Sequence, residues 1–98
     1  PKKDYGAVKI FPSPYYVPSN NLMIIDGLIY GSSLKIMTLS GRVIRNILSE
    51  GIENDGQQLK WDGRDSEGNY VATGVYLLMI YNQDGKNTIE KITVINNN

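Results

Sequence analysis

At 98 residues, with 41% hydrophobic residues and ten basic against ten acidic side chains, the chain fits one small domain of zero formal net charge. That balance removes the electrostatic footprint that nucleic-acid binding or docking on an anionic membrane requires, and no apolar run approaches the roughly 18 residues that span a bilayer. Without cysteine or histidine there is no disulfide, no thiolate metal site, and neither the usual nucleophile nor the usual base of hydrolytic chemistry.

The chain opens on Pro1 rather than Met, so residues 1–7 are expected to be a linker from a larger parent protein. Val8 to Phe11 reads as a first strand. Pro12, Ser13 and Pro14 cannot follow it in a central strand, because proline supplies no ladder donor, and Pro18 prolongs the irregular stretch. This stretch is expected to be an edge or a crossover. Tyr15 and Tyr16, held between the prolines, fit either aromatics covering an edge or a contact with a partner. Leu22 to Leu28 is the second strand. Leu34 to Thr38 and Val43 to Leu48 flank Leu39, Ser40, Gly41 and Arg42, where Gly41 can take the positive φ of a tight hairpin. Gln58 to Trp61 follows, and Val75 to Tyr81 and Thr88 to Ile95 flank Asn82, Gln83, Asp84 and Gly85, an Asp-Gly hairpin turn.

Seven short strands rich in Val, Ile, Leu, Thr and Tyr, and no sustained helical spacing of apolar residues, predict an all-β domain. The expected fold is a seven-stranded antiparallel immunoglobulin-like β-sandwich over residues 8–95, with an open barrel as second choice and 96–98 as a disordered tail. Leu34 and Ile36 alternate with Lys35, and Ile92 and Val94 with Lys91 and Thr93, as half-buried strands require. Val75 to Ile80 is apolar on both faces and is expected at the centre.

The densest polar stretch runs from Trp61 through Asp62, Gly63, Arg64, Asp65, Ser66, Glu67, Gly68 and Asn69 to Tyr70. A calcium loop needs oxygen ligands at its first, third and fifth positions and glycine at the sixth. Counting from Asp62 puts Arg64 third and Glu67 sixth, and counting from Asp65 puts Tyr70 where glycine belongs. A turn whose acid side chains bond their own backbone is therefore expected, and no metal or cofactor. Trp61 reads as a core residue or as a sugar-stacking platform. Glu50, Glu53, Asp55, Asp62, Asp65 and Glu67 fall in predicted loops, and nothing marks two of them as a glycosidase pair. No enzymatic activity and no small-molecule substrate are expected.

Several of these residues match a pattern. Val8 to Pro14 resembles the valine-x-proline-asparagine-proline opening of type IX secretion C-terminal sorting domains, with Ser13 in place of Asn. Leu34 to Val43 is similar to that family's strand, glycine turn, strand unit. Trp61, Asp62 and Gly63, then Gly68, then Val71 to Tyr76 resemble its tryptophan-aspartate-glycine and glycine-x-tyrosine motifs, and Glu90 to Val94 its lysine-bearing last strand. The same two motifs occur in the related immunoglobulin-like domain of flagellar hook-capping proteins. The chain ends three residues after Ile95, which favours the sorting domain.

The resemblance implies recognition without chemistry. The outer-membrane translocon of a Gram-negative bacterium would bind the folded domain after transit through the periplasm and deliver its parent to the cell surface, with removal by a sortase left open. Within that reading Gly74, Tyr76, Gly85 and Lys91 are the residues expected at the translocon contact, and Pro12, Pro14, Gly41, Trp61, Asp62, Gly63 and Gly68 those that build the fold. Gly74 and Tyr76 also fit a purely structural part. A structural or adhesive immunoglobulin-like module and a carbohydrate-binding module are the competing readings. The second needs exposed, coplanar aromatics at Trp61, Tyr70 and Tyr81.

Overall fold

The structure, a computed structural model, describes residues 5–49 and 57–98. Within them lie β1 (Lys9–Phe11), β2 (Tyr15–Val17), β3 (Met23–Asp26), β4 (Ser33–Met37), β5 (Val43–Ile47), β6 (Gln58–Trp61), β7 (Gly74–Tyr81) and β8 (Asn87–Asn96), and no helix. They form a three-stranded sheet in the order β1-β3-β6 and a five-stranded sheet in the order β2-β8-β7-β4-β5. The inner faces close on one core. Met23, Ile25, Leu59 and Trp61 come from the smaller sheet, and Tyr15, Val17, Leu34, Ile36, Leu78, Ile80, Ile92 and Val94 from the larger.

The all-β, two-sheet expectation holds, and β7 is the middle strand of the larger sheet, as its two-sided apolar sequence requires. The expected seven strands and wholly antiparallel pairing do not hold. The eighth strand is β2, which runs parallel to β8 with Tyr15 opposite Val94, Tyr16 opposite Ile95 and Val17 opposite Asn96. Pro14 and Pro18 sit immediately outside it, and β2 is the edge of its sheet, where donors are needed on one side only. A three-residue strand between prolines leaves almost no periodic signal. Its alternation is nonetheless clean, with Tyr15 and Val17 buried and Tyr16 exposed, so Tyr15 is a core residue rather than an edge cover.

The end of the chain also differs from expectation. Asn96 belongs to β8 rather than to a loose tail: its side-chain amide donates to the Val71 carbonyl at 2.9 Å, and the following Asn97 N–H donates to Val17 at 2.8 Å. The ladder with β7 ends at Val94, while that with β2 continues to Asn96, whose other side is held by Thr73 and Val71.

Candidate recognition surface

The β7–β8 hairpin carries all four residues expected at a partner contact. Its register runs from Gly74 opposite Val94 to Tyr81 opposite Asn87. The turn closes through Asn82, whose N–H donates to the Lys86 carbonyl at 3.1 Å and whose side-chain oxygen accepts the N–H groups of Asp84 and Lys86. Gly85 stands at φ +85°, a conformation that costs a residue with a Cβ, so its part is to form the turn.

The period of two then sorts the hairpin's side chains. Tyr76, Leu78, Ile80, Ile92 and Val94 face the core. The Tyr76 hydroxyl donates to the Ala72 carbonyl at 2.7 Å, and burial pushes its phenol pKa above the ordinary value. Tyr76 is thus committed inside the domain. A Cβ at Gly74 would meet Tyr76 Cε2 at 3.8 Å, an ordinary contact, so nothing within the domain demands glycine there.

Of the four, Lys91 is the one whose side chain is offered outward. It lies opposite Leu77 on a face that also carries Val75, Met79 and Tyr81 from β7, Ile89 from β8, Lys35 from β4, and Val43 from β5. Val75, Ile89 and Val43 are 40%, 51% and 43% exposed, an uncommon density of apolar surface for the solvent side of a sheet. Lys35 lies opposite Met79, its Nζ 5.4 Å from the centroid of the Tyr81 ring. Neighbouring groups thus make one continuous apolar band with two cations set into it.

The Trp-Asp-Gly segment serves the fold. Trp61 is 1% exposed, packs against Tyr15 with ring centroids 6.1 Å apart, and donates its indole N–H to the Arg64 carbonyl at 2.9 Å. Asp62 Oδ1 accepts the Arg64 N–H at 3.0 Å and meets Arg45 Nη1 at 3.1 Å, which carries the loop across to β5. Asp65 Oδ1 accepts the N–H groups of Glu67 and Asn69, and Gly68 at φ +87° closes that turn. The Asp side chains bond the backbone of their own turn, as expected. Ser66 donates from both its N–H and its hydroxyl to the Ile44 carbonyl, covering part of the β5 edge. Glu50, Glu53 and Asp55 lie outside the described residues.

Gly41 sits in the β4–β5 turn, where its N–H donates to the Thr38 carbonyl at 2.9 Å. Pro14 enters β2, while Pro12 borders a groove of about 500 Å³ with Phe11, Leu22, Ile24 and Lys60 on the outer side of the smaller sheet. That groove and the closure at Thr73 went unread in the sequence. The Asn96 N–H donates to the Thr73 hydroxyl at 2.8 Å, so the Val71 to Tyr76 motif anchors the last strand; a threonine beside a strand gives no advance sign of such a bond.

No family model matches the chain, and no curated protein matches it. Among solved structures it is similar to PorZ, an essential bacterial surface component of the type-IX secretion system of Porphyromonas gingivalis, with 29% identity over 90% of this chain and a TM-score of 0.72. The match spans 11% of the PorZ chain. CopC from Methylosinus trichosporium OB3b gives a TM-score of 0.49 at 17% identity, over 94% of this chain and 97% of CopC. The PorZ similarity supports an immunoglobulin-like fold of the kind found in type IX C-terminal domains.

Proposed function

We propose that this chain is a non-catalytic sorting domain that directs its parent protein through the type IX outer-membrane translocon to the cell surface. One observation carries the reading: similarity to a surface component of that system extends over 90% of the chain. The motifs that resemble sorting domains hold this fold together, with Trp61 in the core, Gly63 under β2 and Thr73 holding the end of β8. The domain would be substrate rather than enzyme, and sortase removal after delivery is part of the same proposal.

Recognition by such machinery needs a surface, and the outward face of β7 and β8 supplies apolar area with Lys91 within it. The carbohydrate-binding reading loses its platform: Trp61 is buried, and Arg64 lies over Tyr70 with its guanidinium 4.6 Å from the ring centroid. The test is removal. Deleting residues 5–98 from the parent should leave it in the periplasm of a host with type IX secretion, whereas unchanged surface delivery would refute the role.

A further inference from the structure

We infer that the outward face of the five-stranded sheet docks an extended, apolar protein segment bearing two carboxylates, one for Lys35 and one for Lys91. The inference rests on the sorting role proposed above and names the chemistry of the partner. Its first support is apolar area. Val75, Leu77 and Met79 of the central strand, flanked by Ile89 on β8 and by Val43 on β5, face away from the core that the same strands build on their other side.

The second support is charge. The whole chain balances ten cations against ten acids, yet the outward positions of these paired strands hold Lys35 and Lys91 and no carboxylate. Glu90, opposite Leu78, belongs to the inner side of the hairpin. The face is thus positive and apolar within a neutral protein, a pattern that selects partners of the opposite sign.

The positions of the lysines limit the partner's shape. They lie on the strands either side of β7, opposite Met79 and Leu77. With strands about 4.8 Å apart and about 3.3 Å per residue, their Cα atoms are about 12 Å apart. Residues four apart on an extended segment are about 13 Å apart and point the same way, so an acid, any residue, an apolar residue, any residue, an acid would place both carboxylates at lysines and its apolar centre on Leu77 and Met79. Other occupants fit less well. A second copy docked by the same face would bring lysines toward lysines across a two-fold axis, and two lysines on a neutral domain attract an anionic membrane weakly.

The test places a passenger behind a signal peptide and ahead of this chain in a host with type IX secretion, and compares Lys35→Glu/Lys91→Glu with Lys9→Glu/Lys60→Glu on the smaller sheet. Both doubles change net charge equally. The first should lower surface delivery by roughly tenfold or more, and the second should leave it near the parental level. Melting of each purified variant is recorded, and Lys35→Gln/Lys91→Gln replaces the reversal if that variant is unfolded. Parental delivery of a folded Lys35/Lys91 variant would overturn the inference while leaving the sorting role intact, whereas no delivery of the unaltered chain would overturn both. A dimer, or binding to phosphatidylglycerol vesicles, that Ile89→Asp abolishes would assign the face to another occupant and also overturn it.

Discussion

A Cβ built on Gly63 would stand 2.5 Å from Val17 Cγ1, closer than two carbon atoms can pack. The glycine of the Trp-Asp-Gly segment is therefore the floor on which β2 rests. Its φ of +83° adds a second demand for glycine, and the Val71 N–H donates to its carbonyl at 3.0 Å. β2 and both ends of the Gly63 to Val71 loop meet at this residue.

Gly63→Ala should lower stability by roughly 2–4 kcal/mol, from the clash with Val17 and the left-handed backbone together. Gly68→Ala shares the positive φ but has nothing within 4 Å of its Cβ, and should cost only about 1 kcal/mol. Urea unfolding of the two variants checks the difference. Equal losses would mean that β2 does not lie where the structure puts it.

Tyr76→Ala should cost roughly 3–5 kcal/mol, because a buried ring is removed beneath the central strand. Lys91→Ala, on the exposed face, should stay within about 0.5 kcal/mol of the parent. Chemical denaturation of both separates packing from contact within one hairpin. A large loss for Lys91→Ala would show that this lysine supports the fold.

Stability should fall in alkali. Burial raises the phenol pKa of Tyr15, with a further push from the Asp62 charge, and burial raises that of Tyr76. In the unfolded chain both ionise near pH 10. Each raised group therefore contributes stability that is full below about pH 10 and is lost as pH climbs from there through the folded-state value. Urea midpoints between about pH 8 and pH 11.5 should decline above pH 10, and Tyr76→Phe should blunt the decline. A flat profile would contradict the buried phenols.

Chelation should leave the melting temperature unchanged. Asp62 Oδ1 and Asp65 Oδ1 are already bonded to the Arg64, Glu67 and Asn69 N–H groups, with Arg45 paired to Asp62. Among the described residues no three acids converge on a common centre that could hold a cation. A fall of several degrees in EDTA, reversed by calcium, would show that the loop holds a metal after all.

Strands that span a full hydrophobic alternation and end in recognisable turns were legible in the sequence. Gln58 to Trp61 matches β6 at both ends, and the Gly41 and Gly85 turns sit where the hairpins need them. β2 was not, because three residues between prolines have no periodic signal, and a parallel partner 79 positions along the chain (Tyr15 to Val94) leaves no local mark. The contact residues divided along physical lines. Lys91 faces outward because the strand period of two puts it opposite Ile92 in direction, while Tyr76, whose sequence fits contact but fits a structural part better, is buried with its hydroxyl bonded to Ala72. Gly74 has no steric reason within the domain.

The sorting role is tested most directly by sufficiency. A soluble passenger with a signal peptide and this chain at its end, expressed in matched strains with and without a working type IX translocon, should be labelled on intact cells only in the first. The account predicts that most of the passenger is accessible to external protease there and stays protected in the periplasm of the second. Equal accessibility in the two strains, or retention in both with the domain folded, would contradict it.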